Sequence, residues 1–317
     1  MNVAVGVTPM ETRREVVLRL ADVAEDLGYS AFTVAEGWGY DAGVLLAEIA
    51  TRTSRIELGT GVLNVWGRSP ASIAMLASGL HAVSGGRFTL GLGAGSPQLA
   101  EGLHDVEFRA PVRRLGATAR QVRALLDGER AVTSTGARGL RLAAPAPVPL
   151  HLAALGPAAV RLAGEVADAW VPFLQPRSGL KERMCLLEDA AARAGRPRPR
   201  VAPGIPAALS PEVAAWWVAF YLTSMGPLYA TSLREQGFGA AVDAVVAANG
   251  RGVPPTVPPA AQVLVDELLL TAPEGLDRWR AAGADMPIVV LPPGRPLAEL
   301  EQTLEAFAPR GDLVQPG

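Results

Sequence analysis

Cysteine, lysine and histidine are scarce in this chain, and each scarcity removes a class of chemistry. A single cysteine, Cys185, in 317 residues leaves no intramolecular disulfide and no cysteine zinc cluster. Its neighbours Met184, Leu186 and Leu187 put it in a helix core in this reading rather than at a nucleophilic site. The three histidines, His81, His104 and His151, lie far apart with none of the spacings of a metal site, so no metal is expected. Lys181 is the only lysine among 29 basic residues, and the excess of Arg, Ala, Gly and Pro reads as the coding bias of a GC-rich genome. Charge of either sign is not in surplus: the net is −2, which excludes nucleic acid and anionic membrane as expected partners. No apolar run approaches the roughly 18 residues of a membrane span, and no targeting segment precedes Val3, so a cytoplasmic protein is expected.

What is present is an alternation of short apolar runs and amphipathic stretches. The chain is 49% hydrophobic, enough for a full core, and at 317 residues it suits one α/β barrel better than one small domain. Strands are expected at Val3–Val7, Ala31–Ala35, a stretch from Ile56, Phe88–Leu92, Leu150–Ala153, Asp168–Val171, Val201–Pro206 and Pro287–Leu291. Helical spacing fills the intervals, including Pro111 to about Leu126, Lys181–Arg193 and an apolar stretch from Glu212 to Leu233 broken at Met225-Gly226-Pro227. Residues 132–149 read as an excursion with a small hairpin, and Asn249–Pro259 as a mobile loop. The pattern predicts a single domain over residues 1–317, a (β/α)8 TIM barrel with insertions; an open doubly wound sheet is the runner-up.

The stretch from Ile56 to Pro97 holds the densest set of signals. A strand ends in Gly59-Thr60-Gly61-Val62, and Pro70 opens a helix whose Ala71, Ile73, Ala74, Leu76, Ala77 and Leu80 are expected to face inward. Ser84-Gly85-Gly86 stops that helix, and Phe88–Leu92 leads into Gly93-Ala94-Gly95-Ser96. Ligands of parallel α/β folds bind at the carboxyl ends of the strands, where both glycine-rich loops fall. Gly91-x-Gly93-x-Gly95 is not a full dinucleotide fingerprint, because Ser96-Pro97 follows; its glycines serve a tight turn and close approach.

These residues resemble the luciferase-like flavin oxidoreductases, within them the branch that uses the deazaflavin coenzyme F420 and includes the methylene-tetrahydromethanopterin reductases. The matching pieces are Val34-Ala35-Glu36 with Asp41; Ala50-x-x-Thr53-x-x-Ile56-x-Leu58-Gly59-Thr60-Gly61-Val62; Arg68-Ser69-Pro70; Ser84-Gly85-Gly86-Arg87-Phe88; and Leu90-Gly91-Leu92-Gly93. Pro97-Gln98, Glu101-Gly102-x-His104, Ala154-Leu155-Gly156-Pro157, Leu162-Ala163-Gly164-Glu165-x-Ala167-Asp168 and Ser224-Met225-Gly226-Pro227 continue the match in order.

The resemblance implies an F420-dependent oxidoreductase, a homodimer acting on a small organic molecule, with flavin mononucleotide (FMN) as the alternative cofactor and a non-catalytic ligand-binding barrel as a third reading. It implies a cofactor lined by Glu36, Gly61, Val62, Asn64, Gly93, Ala94, Gly95, Ser96, Gln98, Leu155, Gly156 and Pro157, and a substrate near Trp38, Tyr40, Trp66, Tyr221 and Met225. Gly61-Val62 falls where the family commonly has a non-proline cis peptide, though Val62 serves equally as core. The Gly156-Pro157 helix start matches the cofactor phosphate loop; alone it reads as an ordinary proline-capped helix. Glu36 and His104 are the candidate catalytic residues. The competing readings are a loop carboxylate paired with Arg68 and a surface histidine. Two departures stand out: Gly37 occupies the place of the histidine of an acidic–histidine pair, and Gly6 lies near a strand-one carboxylate.

Overall fold

The computed structural model describes residues 2–250 and 252–309. Its strands are β1 (Ala4–Val7), β2 (Ala31–Val34), β3 (Glu57–Thr60), β4 (Leu63–Asn64), β5 (Phe88–Gly93), β6 (Leu150–Leu152), β7 (Ala169–Trp170), β8 (Arg200–Val201), β9 (Gly204–Pro206) and β10 (Ile288–Leu291). All pair in parallel, in the order β8-β7-β6-β5-β3-β2-β1-β10-β9, with β4 extending the pairing to β5. Every residue of β1 and β10 is buried, as expected of parallel strands covered on both faces.

Alternate side chains enter two different cores. Val5, Val7, Phe32, Leu58, Leu90 and Leu152 pack outward with helix residues such as Leu20, Ile49, Ile73 and Val122. Ala4, Ala31, Ala202, Ile288 and Val290 face the other way and join Val213, Trp217 and Tyr221 of the later helices. The sheet is curled. Ala202 and Gly204 donate to the carbonyls of Trp170 and Pro172 at 2.8 and 2.7 Å, while Ile288 donates to Pro203 at 2.9 Å. Residues 200–206 thus touch strands on both sides.

Local chemistry explains most boundaries. The Ser69 hydroxyl accepts the Ser72 N–H at 3.1 Å and Pro70 takes the first helical position of Pro70–Val83. That helix ends where Gly85 and Gly86 adopt φ of +66° and +90°. Ile73, Ala74, Ala77 and Leu80 are buried, but Ala71, expected inward, is exposed. The helix Pro111–Leu126 has the expected bounds. The apolar stretch divides at Met225-Gly226-Pro227 into Pro211–Thr223 and Pro227–Leu233, with Gly226 at φ +76°.

Two further expectations need correction. Residues 132–149 form no strand; Pro145, Pro147 and Pro149 remove alternate donors, and Ala131 N–H to Leu140 carbonyl at 2.9 Å is the link across its base. Cys185 is exposed, because the helix Leu180–Arg193 buries Leu180, Arg183, Leu187, Ala190 and Ala191, a stripe that leaves position 185 outside. The connection after β5 contains a short helix, Pro97–Ala100, and a full helix, Gly239–Ala248, precedes the loop at 249–259. Within that loop Asn249 clasps Thr256 through its amide, at 2.8 and 2.9 Å; Arg251 lies outside the described residues. Among the described residues no helix is long and apolar enough to cross a membrane.

Candidate active site at the carboxyl ends of the strands

The Gly61–Val62 peptide is cis and separates β3 from β4. Thr60, just before it, lies against β5: its hydroxyl donates to the Gly91 carbonyl and accepts the Gly91 N–H, both at 2.8 Å. A β-carbon on Gly91 would sit 2.0 Å from the Thr60 carbonyl oxygen, and one on Gly93 would sit 2.6 Å from Val62 Cγ2. These two glycines therefore admit the chain's own backbone and Val62, which fills the space beside them. Gly95 is the turn residue, with φ +64°.

Asn64 organises the next layer and is nearly fully buried. Its side-chain oxygen accepts the N–H groups of Trp66 and Gly67 at 3.0 and 3.1 Å, an Asx turn, and its amide lies 3.4 Å from His104 Nε2. The His104 ring covers Gly67, where a β-carbon would lie 2.5 Å away, so this half-buried histidine is drawn into the loop cluster. Trp66 is only 4% exposed, donates its indole N–H to the Ala94 carbonyl at 2.6 Å and packs on Phe108. It is a wall rather than an open contact surface. Ser96 caps the short helix by accepting the Leu99 N–H at 3.4 Å. Gln98 reaches across to Gly226, whose β-carbon position lies 3.1 Å from the Gln98 amide nitrogen.

Glu36 follows β2 and donates its backbone N–H to the Val62 carbonyl at 3.1 Å. Its carboxylate is bound on both oxygens, one by Arg68 and the other by the Ala42 N–H at 3.2 Å. Arg68 also holds Asp41 at 2.5 Å, and the hydrogen bond it donates to Glu36 raises the guanidinium pKa further. The ion pair between Glu36 and Arg68 is formed. Trp38 and Tyr40 are about half exposed on the outer part of this loop.

The opposite wall is aromatic. Phe173, Tyr221 and Tyr229 pack edge to face, with centroids 5.0 to 6.0 Å apart, above Trp217. Tyr221 is 4% exposed, and burial raises both phenol pKa values. Met225 packs partly buried against this group. The Phe173 ring lies 3.1 Å from the Gly204 β-carbon position, which puts it over the strand ends. Sequence reading missed Phe173, although Pro172-Phe173 directly follows a strand. Gly156-Pro157 opens the helix Pro157–Val166 with no side-chain cap, and the preceding Leu155 is buried. Ala153, beside it, lies 3.6 Å from the Gly93 β-carbon position. His151, central in β6, has its pKa lowered to about 4, chiefly by burial.

The profile of the family described as luciferase-like monooxygenase matches residues 3–272. The chain belongs to this family. A Mycobacterium tuberculosis (strain ATCC 25618 / H37Rv) relative, provisionally named a coenzyme F420-dependent oxidoreductase, is 31% identical over 327 aligned residues, covering 90% of this chain and 92% of that protein. The solved coenzyme F420 dependent tetrahydromethanopterin reductase from Methanopyrus kandleri superposes with a TM-score of 0.75 at 20% identity, over 96% of this chain and 97% of that one. The FMN complex of the oxygenating constituent of 3,6-diketocamphane monooxygenase from Pseudomonas putida gives 0.72 at 17% identity, over 97% of each chain. At these two identities the likeness is one of fold.

The two departures noted in the sequence are both closely packed, Gly37 more tightly than Gly6. A β-carbon on Gly37 would lie 2.7 Å from Pro9 Cβ and 2.8 Å from its Cγ. One on Gly6 would meet Thr33, Ile288 and Val290 at 3.2 to 3.4 Å. Neither position has room for a larger side chain without repacking.

Proposed function

We propose that the chain is a coenzyme F420-dependent oxidoreductase that reduces an activated C=C or C=N bond of a small organic metabolite. The observation that carries this reading is the 31% identity, across nine-tenths of both chains, with a relative named for that cofactor. When bound, a reduced deazaflavin supplies a hydride at C5.

The chain's own residues would do the rest. Gly61, Val62 and Asn64 form one side of the cofactor site, Ala94, Gly95, Ser96 and Gln98 its rim, and Leu155, Gly156 and Pro157 the phosphate end. The uncapped start of Pro157–Val166 fits an anion, because its first N–H groups lack partners within the helix. Glu36 would hold the β2 loop through Arg68 rather than deliver a proton, since both its oxygens are engaged. His104, half-buried beside Asn64, is the remaining candidate acid on this side. A substrate that arrives already protonated, such as an iminium ion, needs none. Trp38 and Tyr40 would form the outer edge of the substrate site, and Tyr221 and Met225 its far wall.

The full (β/α)8 barrel is part of the same reading. Its support is the segment 200–206, which bonds to Trp170 and Pro172 on one side and to Ile288 on the other, so that β8 and β9 act as one strand. A single domain over 1–317 and a cytoplasmic homodimer complete the proposal.

An FMN monooxygenase is the second reading, favoured by the family description and the FMN-bound neighbour. A deazaflavin reacts poorly with dioxygen, so the two predict opposite oxygen dependence. Fluorescence quenching by F420 and FMN in the same buffer tests them. Micromolar F420 binding, with FMN about tenfold weaker or worse, supports the proposal; the reverse order overturns it. Binding of neither leaves the non-catalytic barrel.

A further inference from the structure

We propose that a second anion site, behind Trp66, takes an oligocarboxylate chain, which on the deazaflavin reading is the oligoglutamate tail of the coenzyme. A cavity of about 480 Å³ is lined by Trp66, Arg109, Arg113 and Arg114, with Glu107 as its one acidic member. Among the described residues none of these three guanidinium groups is paired with a carboxylate, whereas Arg68, Arg123 and Arg196 elsewhere in the fold all are.

The cavity is built rather than fortuitous. Arg114 donates its Nε to the Val65 carbonyl at 3.1 Å and stacks 4.5 Å from the Trp66 ring centroid, so its position is fixed while its terminal nitrogens stay free. Arg109 and Arg113 are exposed beside it. The sixteen-residue helix Pro111–Leu126 begins here at Ala110, which has φ +48° and offers no side-chain cap, leaving first-turn N–H groups to point outward. Three arginines, one glutamate and a helix start sum to a positive site with forked donors suited to carboxylates.

Its place in the fold suggests what fills it. Trp66 forms the cavity wall on one side and on the other donates to the Ala94 carbonyl, with its ring 3.5 Å from the Gly95 β-carbon position. One indole therefore separates the arginines from the loop assigned to the cofactor rim. A single carboxylate on exposed arginines would stay largely hydrated, whereas a chain of them engages several guanidinium groups at once. FMN has no such chain. The assignment to the coenzyme tail rests on the deazaflavin reading; the preference for an oligocarboxylate does not.

The test uses γ-linked triglutamate as a probe, with titration calorimetry on the wild type and on the Arg109→Gln/Arg113→Gln double variant. Both side chains are exposed, and unchanged thermal unfolding checks the fold. Triglutamate is expected to bind the wild type in a salt-sensitive manner and to lose about tenfold or more in the variant. In parallel, the tailed coenzyme should weaken about tenfold in the variant while the tail-free deazaflavin alcohol is unaffected. Triglutamate that fails to bind, or binds both proteins alike, overturns the site. Arginine-dependent triglutamate binding with no binding of either deazaflavin upholds the site and removes the cofactor reading. Equal affinity of tailed and tail-free deazaflavin for both proteins overturns the tail assignment.

Discussion

Pro9 occupies the space that a side chain at position 37 would need: its Cβ lies 2.7 Å from where a β-carbon on Gly37 would be. The residue that stands where the family resemblance places the histidine of an acidic–histidine pair is thus matched by a packing partner on the preceding strand-end loop. Restoring the histidine as Gly37→His should therefore fail, costing about 1–3 kcal/mol in urea unfolding through overpacking. Adding Pro9→Gly, which removes both contacting carbons, should recover part of that loss. Full stability of Gly37→His alone would show that the loop yields freely and would remove this account.

The two glycines of β5 should respond differently to alanine. Gly93→Ala meets Val62, a side chain, and Val62→Ala should rescue it. Gly91→Ala meets the Thr60 carbonyl 2.0 Å away, which no neighbouring truncation removes, so it should cost about 3 kcal/mol or more and resist rescue. Chemical denaturation of the four variants decides it; rescue of both by Val62→Ala would contradict the geometry.

On the proposed reading Glu36 and Arg68 brace the loop. Their side chains are 8% and 17% exposed, so breaking the pair from either end should cost about 2–3 kcal/mol. Glu36→Gln and Arg68→Met should be strongly non-additive in a double-mutant cycle. A Glu36→Gln protein of normal stability that has lost all turnover would instead make Glu36 the proton donor.

Much of this arrangement is legible in the sequence. The strand positions, the helix Pro111–Leu126 and the break at Met225-Gly226-Pro227 followed from periodicity, proline and glycine. The order of the loop motifs pointed to the strand ends that now carry Asn64, His104 and Gly95. What stayed hidden depends on contacts distant in sequence. Pro9 against Gly37, Thr60 against Gly91 and Gln98 against Gly226 are pairings that no local pattern encodes. Cys185 was misplaced because apolar neighbours on a short helix suggested burial, whereas the buried stripe passes through Arg183 and Leu187. The expected hairpin at 132–149 failed because its prolines outweigh its β-branched residues.

Two tyrosines separate a structural hydroxyl from an unused one. Tyr29 is buried and donates to the Leu304 carbonyl at 2.7 Å, so Tyr29→Phe should cost about 1–2 kcal/mol by leaving that acceptor unpaired. Tyr221 is as deeply buried, yet its hydroxyl pairs with none of the described residues and its ring packs within the aromatic wall of the site. Tyr221→Phe should leave stability within about 0.5 kcal/mol and show itself in substrate KM instead. Equal destabilisation by the two variants would remove Tyr221 from the substrate wall.

His151 should make the fold sensitive to mild acid. Burial lowers its pKa from the model-peptide 6.5 to about 4, with Arg200 adding to the effect and Asp168 opposing it. The unfolded chain therefore takes up a proton near pH 6.5 that the folded chain refuses until about pH 4. The associated stability is complete above pH 6.5 and is lost progressively towards pH 4, by about 3 kcal/mol at most. Asp168, Glu11 and Glu25 have lowered pKa values, against the upward pull of burial, because N–H and guanidinium donors hold their charge. Their contributions are present above the usual carboxylate range and vanish only below it, so the interval from pH 7.5 to 5 isolates the histidine. Urea unfolding over that interval should give a falling midpoint for the wild type and a nearly flat one for His151→Gln. Parallel slopes would mean that His151 is protonated in the fold as readily as outside it.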